Sequence, residues 1–463
     1  MRSWLRRVVT SLILLAALRA GADAAPPSHV FIVLIDGLDA TRLTEQLTPT
    51  LWGLAHGASG HATFYPDGRS VIPSVTNTNH AAVMTAAYAE AHGVVGNAFW
   101  ERKPGRAPTG SESARFLQVE TLFTVIEHER PELRTAGLFG KSRLAGLFRK
   151  ARHQLPPDHL WGDVITETES FDARAGFASD QRTMDEVLRT LTLEAPNFMF
   201  AALPDVDRTS HMFGPDSHEA RRALLEADRQ VSRLVEVLRR RGLWPRTVLM
   251  VTADHGMSSV APNVGAGRPY PLVLFGRELA RAGFNDVVPV ANGSVETLAL
   301  PGHAPVSLGD RDAQRLADIR KLALAQPEVA EAWYRLPNAS DGGDEFTLSH
   351  AHPDWHINHP RLGELILVAK PNHHFGDPFT PHLGGLEGNH GGPNEAHIPI
   401  IIAGGDSRIR SQVVGPNGST PSAANPDLGA TAAWLLGVRM PRLTNGKPVP
   451  SESAGRVLRE AFE

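Results

Sequence analysis

The chain has 463 residues, 42% of them hydrophobic and 21% charged, and carries a net charge of −4. Its composition is that of a folded globular protein, long enough for one large domain with insertions or for two, and it lacks the basic footprint of a nucleic-acid binder. It contains no cysteine, which excludes disulfides, thiolate nucleophiles and lipidation at a cysteine and leaves His, Asp and Glu as metal ligands.

In chain order, residues 1–24 read as a signal peptide. Arg2, Arg6 and Arg7 form a positive n-region, Val8 to Leu18 an apolar stretch, and Ala22-Asp23-Ala24 a small-residue cleavage site. The apolar stretch falls short of the roughly 20 residues that cross a bilayer. A bacterial protein exported to the periplasm or secreted is expected, with no membrane association beyond the signal. No feature fixes an oligomeric state.

Residues 25–463 are then expected to form one large domain. His29 to Ile35 is an uninterrupted apolar run ending in Asp36-Gly37, the pattern of a strand covered on both faces, as in parallel sheets. Phe198 to Leu203 precedes Asp207 in the same way, and Thr247 to Thr252 precedes Asp254. Ile398 to Ala403 follows His390, and Glu364 to Ala369 is a fifth such run. A helix is expected at Thr76–Ala86, with Asn77 or Thr78 as its N-cap. The clearest helix runs from His218 to Arg241, with Leu224, Ala227, Val231, Leu234, Val235 and Leu238 on one face and Gly242 as its stop. Strands alternating with helices predict an α/β fold with a mostly parallel central sheet flanked by helices. Stretches near 101–182 and 262–381, rich in turn residues, are expected to be insertions that cap the site and select substrate.

Candidate ligands follow directly on strand ends, the edge where open α/β sheets bind ligands. Asp207 and His211 are four residues apart, which puts both on one face of a helical turn. Asp254 and His255 are adjacent and converge only in a loop past the strand. Thr76 places a hydroxyl at a helix N-terminus, where exposed N–H groups favour an anion, and metal coordination is one way to activate such a hydroxyl. Asn97, in a Gly-flanked turn, supplies an amide donor for charge developing on a phosphoryl oxygen.

Ile35-Asp36-Gly37, Pro73 to His80, His92-Gly-Val-Val-Gly-Asn97, Asp207 to His211 with Gly214-Pro215, Asp254-His-Gly-Met257 and His390-Gly-Gly392 together resemble the alkaline phosphatase superfamily. The nearest branch is that of the type I phosphodiesterases and nucleotide pyrophosphatases, and the matches are collinear over roughly residues 29 to 437. The resemblance implies two divalent ions, zinc by preference and manganese as the alternative. Asp36, Thr76, Asp254 and His255 would hold one ion and Asp207, His211 and His390 the other. It further implies in-line attack by Thr76, a phospho-threonine intermediate, and support of the transition state by Asn97. The implied partner is a small-molecule phosphoryl substrate.

Two departures qualify the resemblance. Nucleotide-cleaving members typically carry an aromatic base-stacking residue directly after the nucleophile, where this chain has Asn77, and a second one where it has Ala201 and Ala202. Gly140-Lys141-Ser-Arg143-Leu144 is similar instead to the basic segment of phosphonoacetate hydrolases, which implies that Lys141 and Arg143 meet substrate. Phosphonoacetate hydrolase-like or phosphomonoesterase activity is therefore the alternative. A protein that binds phosphoryl ligands without turnover is the reading outside enzymes, and the complete ligand set argues against it. His80 is expected to be structural, and the His350, His352, His356 and His359 cluster to lie on the surface.

Overall fold

The computed structural model describes residues 28–103, 107–148, 176–260, 272–273, 275–301, 310–375, 387–415 and 423–462. The expected signal peptide at 1–24, and parts of both expected insertions, lie outside them.

Seven strands form the main path of an eight-stranded sheet: β1 (His29–Ile35), β2 (His61–Arg69), β3 (Thr135–Phe139), β4 (Phe198–Leu203), β5 (Thr247–Thr252), β10 (His397–Gly404) and β11 (Gln412–Val413). Numbers β6 to β9 belong to a second sheet described below. The order is β11-β2-β10-β5-β1-β4-β3, and Ala423–Ala424 pairs with β2 off this path. β5, β1, β4 and β3 are parallel, so that Val33 faces Val251 on one side and Ala201 on the other. β10 is antiparallel to both β2 and β5. The sheet is thus mostly parallel, as expected, with one reversed strand. A strand buried on both faces is apolar throughout whichever way it runs, so the Ile398 to Ala403 run could not reveal its own direction.

Strand alternation divides the core. Val30, Ile32 and Leu34 pack with helix α1 (Thr76–Thr85), α2 (Leu122–Glu129), α3 (Ser142–Phe148) and α7 (Asn425–Leu436). Phe31, Val33 and Ile35 pack beneath α4 (Asp180–Leu193) and α6 (His218–Arg240), while α5 (Asp205–Phe213) follows β4. The helix expected to start at His218 does so. Ser217 caps it by accepting from Ala220 N–H, and Gly242 follows its end at φ 69°.

The expected insertion at 101–182 is in part framework. It supplies α2 and the edge strand β3, whose Ala136 and Leu138 are core residues, so the Arg- and Pro-rich composition of its flanks concealed a sheet strand. The stretch near 262–381 holds a four-stranded antiparallel sheet of β6 (Val288–Asn292), β7 (Val295–Ala299), β8 (Val329–Tyr334) and β9 (Leu365–Ala369), in the order β6-β7-β9-β8. The Glu364 to Ala369 run is therefore a strand of this antiparallel sheet and not of the parallel one. Its Leu365–Ala369 part is apolar throughout because both its faces are covered. Leu365 and Leu367 join the sheet's own core with Phe275 and Leu316, and Ile366 and Val368 pack with Ile72, Phe99 and Phe116 of the main body.

This topology brings the candidate residues to one edge. Asp36, Lys141, Asp207 and Asp254 follow the C-terminal ends of β1, β3, β4 and β5. β2 runs parallel to β5, so Thr76 leaves the sheet at the same edge, and reversed β10 puts its start, preceded by His390, there too. Among the described residues no helix is long and apolar enough to cross a membrane.

Candidate functional site

All seven candidate metal ligands converge. Asp207, His211 and His390 form one group whose ligand atoms lie within 4.8 Å of one another, and Asp36, Asp207 and His255 form a second. His255 Nε2 is 3.4 Å from both Asp36 Oδ1 and Asp254 Oδ2, and His211 Nε2 is 3.2 Å from Asp207 Oδ1.

The donor set fits metal ions on internal grounds. Nδ1 of His211, His255 and His390 donates to the backbone carbonyls of Gly388, Gly256 and Ser74 at 2.8–2.9 Å. A carbonyl only accepts, so each Nδ1 carries a proton; in the neutral rings of His255 and His390, which burial favours, Nε2 presents a lone pair, whereas Asp207 favours a proton on His211 Nε2 that a cation would displace. This is the arrangement that orients histidine ligands in metal sites. Asp36 Oδ1, Asp207 Oδ1, Asp254 Oδ2 and His255 Nε2 are buried without a hydrogen-bond partner. A single such orphan costs about 1–3 kcal/mol, and four at one point mark a place suited to cations.

Charge in the cluster is strained accordingly. Burial, followed by the Asp207 and Asp254 carboxylates, pushes Asp36 up to about 8, and burial pushes Asp254 up to about 7. Burial also acts upward on Asp207, but Lys141 and His211 outweigh it and hold Asp207 well below the usual carboxylate range.

Local sequence explains the placement. Asp180 and Asp205 open α4 and α5 and accept from each other's backbone N–H, at 2.9 and 2.8 Å, which locks the helix carrying Asp207 and His211. Gly37 turns the chain at φ 79°, and a Cβ there would sit 3.0 Å from Asp207 Cα. Only glycine allows this approach without strain.

Thr76 is the first residue of α1, buried and facing Lys141, whose Nζ lies 3.3 Å from its Oγ. The N-cap is Val75, which makes no side-chain cap, and not Asn77 or Thr78. Asn97 Oδ1 instead accepts the Asn77 N–H at 2.9 Å and caps the helix from another part of the chain. That bond turns the Nδ2 end of Asn97 into its available donor. The Asn77 side chain is fully buried and donates to Ser111 Oγ at 2.9 Å, so it braces the Asn97 turn. Asn79 shapes the loop before Thr76 by bonding Val71, Pro73 and Val75 backbone groups.

Lys141 is central. Its Nζ stands 2.5 Å from Asp36 Oδ2 and 2.7 Å from Asp207 Oδ2, joining the two ligand groups. Burial lowers its proton affinity, but Asp207 and Asp36 overcome this and raise it, so the ammonium stays charged. Arg143, the second residue of α3, is half-buried and acts on Lys141 through its charge.

His80 is fully buried, with Nδ1 bonded to Thr76 O at 2.9 Å. The histidine cluster is not all surface. His359 is buried, bonded to Gln118 and Arg361, because residues 357–362 pack apolar side chains inward and carry it with them. Sequence reasoning passed over His374, which is 2% exposed, has no partner on either ring nitrogen, and is pushed down to about 4 by burial and then by His211. Nothing in its local sequence distinguishes it from His373.

The profile of the type I phosphodiesterase / nucleotide pyrophosphatase family matches residues 30–393. An uncharacterized pyrophosphatase/phosphodiesterase of Schizosaccharomyces pombe is 26% identical over 250 residues, 51% of this chain and 46% of that protein. The chain spans less than half the length of the first curated relatives it matches. Murine ectonucleotide pyrophosphatase/phosphodiesterase 5 superposes with a TM-score of 0.67 at 17% identity, covering 94% of this chain and 100% of that one. Phosphonoacetate hydrolase from Sinorhizobium meliloti, solved with phosphonoacetate, gives 0.63 at 20% identity, covering 89% and 96%. At these identities the two structures speak to fold, while the profile match over most of the chain speaks to descent. The chain belongs to the type I phosphodiesterase / nucleotide pyrophosphatase family.

Proposed function

We propose that this protein is an exported, metal-dependent hydrolase of phosphodiester or pyrophosphate-type bonds that works through a phospho-threonine intermediate. The observation that carries the reading is Thr76 Oγ at the start of α1, beside a buried cluster of carboxylates and Nε2 lone pairs. Asp36, Thr76, Asp254 and His255 would hold one ion and Asp207, His211 and His390 the other. Zinc suits this His/Asp set best, with manganese as the alternative. When bound, such ions lower the pKa of coordinated hydroxyl and water and neutralise phosphoryl oxygens.

The chain's own groups supply the rest. Thr76 Oγ loses its proton and forms the new bond to phosphorus, the bond to the leaving oxygen breaks and that oxygen takes up a proton, and a water then releases the remaining phosphomonoester from Thr76. Asn97 Nδ2 donates to a phosphoryl oxygen as its charge grows. Lys141 Nζ stays protonated and offers a fixed positive charge beside the attacking oxygen. The described segments near 101–182 and 262–381 that reach the sheet edge would limit substrate shape, and residues 1–24 would direct export.

A second reading is phosphonate hydrolysis. A buried Lys141 with Arg143 two residues on suits a substrate with two anionic groups. Asn77 is buried and turned to Ser111, so the residue after the nucleophile supplies no aromatic wall for a base, although the Phe177 ring stands 5.8 Å from Lys141 Nζ. Comparing turnover of bis-p-nitrophenyl phosphate, p-nitrophenyl phosphate and phosphonoacetate tests the choice. Preference for phosphonoacetate, with Arg143→Ala selectively impaired on it, would replace the first reading with the second.

A further inference from the structure

The tip of the β6–β7 hairpin, Asn292-Gly293-Ser294, belongs to the second sheet, yet it bonds to two separate parts of the site. Asn292 clamps Ala98, the residue after Asn97, through both backbone groups: Oδ1 accepts Ala98 N–H at 3.2 Å and Nδ2 donates to Ala98 O at 3.1 Å. The same side chain fills the space over Gly96, where a Cβ would lie 2.5 Å from Asn292 Oδ1. Asn97 is therefore held from both flanks as well as by Asn77.

Two residues on, Ser294 N–H donates to His390 O at 3.0 Å. Gly293 lies so close that a Cβ there would be 1.7 Å from His390 O, and its φ of 69° is one that side chains rarely adopt. Gly391 packs equally tightly, its Cβ position 2.1 Å from Asn292 O. Ser294 Oγ reaches Glu395 Oε2 at 3.3 Å, and that oxygen also accepts Gly392 N–H at 3.0 Å. The hairpin is itself fixed from behind, by Phe375 N–H to Gly293 O and Ala369 N–H to Ser294 O, both at 2.9 Å. Asn292 and Ser294 are buried.

We infer that this hairpin tip is a positioning element that sets the separation of Asn97 from His390 across the site, with Asn292 acting on Asn97 and Gly293-Ser294 acting on His390. The roles of Asn97 and His390 rest on the proposed function. The second sheet is then part of the catalytic framework as well as its cover. Because the two arms of the hairpin end on different machinery, damaging each leaves a different signature.

The test is a pair of variants in the full mature chain, Asn292→Ala and Gly293→Ala, read by steady-state kinetics and by calorimetric zinc titration, with thermal unfolding as the control. Asn292→Ala should lower kcat by about tenfold to a hundredfold, as expected for a catalytic donor displaced by about 1 Å, with KM and both zinc affinities unchanged. Gly293→Ala should weaken one of the two zinc sites about tenfold to a hundredfold, the range for loss of a group that supports a ligand. If both variants lose kcat and zinc affinity together in step with thermal stability, or if neither changes, the hairpin is ordinary scaffold and the inference is overturned. A wild-type protein that binds two zinc ions but hydrolyses no phosphoryl substrate would defeat the proposed function. The Gly293→Ala zinc titration would still decide this inference.

Discussion

His390 Nδ1 donates to the carbonyl of Ser74 at 2.8 Å, joining a candidate metal ligand to the loop that delivers Thr76 from 316 residues away in the chain. Ser74 returns the contact twice, with N–H to Gly391 O at 3.0 Å and Oγ to Gly392 O at 2.7 Å. The Thr76 loop and the His390 loop are thus one unit, so the proposed chemistry at Thr76 and the proposed cation binding at His390 would be mechanically linked.

Thr76→Ala removes the oxygen proposed to attack phosphorus and little else. Steady-state hydrolysis should fall roughly 10³-fold or more, the scale on which loss of a nucleophile is felt. Calorimetry should still find zinc bound, because the remaining carboxylates and imidazoles persist. Substantial turnover by this variant would remove Thr76 from the mechanism.

Lys141→Gln leaves Asp36 and Asp207 facing each other without their shared cation. Losing one partner of a buried charge group costs about 3–5 kcal/mol, so the metal-free variant should unfold at clearly lower denaturant than the metal-free wild type. Zinc should restore most of that difference by supplying charge at the same carboxylates. KM for phosphoryl substrates should rise about tenfold or more. Equal stability with and without zinc would mean that the ammonium does not balance this cluster.

Zinc binding should release protons. Asp36 and Asp254 are raised to about 8 and about 7 without metal, whereas ligands bind deprotonated. Because these folded-state values exceed the unfolded ones, the metal-free protein keeps this stability below about pH 4 and loses it as pH rises through 7 to 8. Titrations at pH 6 in buffers of different ionisation enthalpy should show proton release that fades above pH 8. Release independent of pH would contradict the assignment.

His359 gives the opposite sign. Burial pushes it down to about 4, and its neutral ring fits its bonds, with Nδ1 accepting from Arg361 N–H and Nε2 donating to Gln118. Its contribution is full above about pH 6.5 and is lost as pH falls through 4. Relative to wild type, His359→Gln should be less stable near pH 7 and approach it near pH 4. A constant difference across that range would show that His359 does not titrate on unfolding.

The strands β1 and β5 and the places of the candidate ligands Asp36 and Asp254 were legible because each run is largely apolar and is followed within two residues by an Asp, as with Ile35-Asp36 and Thr252-Ala253-Asp254. Strand direction was not, since Ile398 to Ala403 is apolar for burial whichever way it runs. The edge strand β3 was missed because it is five residues long amid Arg-rich flanks. The capping of α1 by Asn97 and the hairpin contacts to Ala98 and His390 join residues from 20 to almost 200 apart in the chain, which no local pattern announces. Lys141 was visible as a basic residue in a familiar motif, but its place between Asp36 and Asp207 required the fold.

The measurement that bears most directly on the central claim is turnover of the zinc-loaded mature protein on bis-p-nitrophenyl phosphate beside p-nitrophenyl phosphate and phosphonoacetate. Fastest cleavage is expected for the diester, abolished by chelator and by Thr76→Ala. Faster turnover of the monoester or of phosphonoacetate, or diester cleavage that survives chelation, would contradict it.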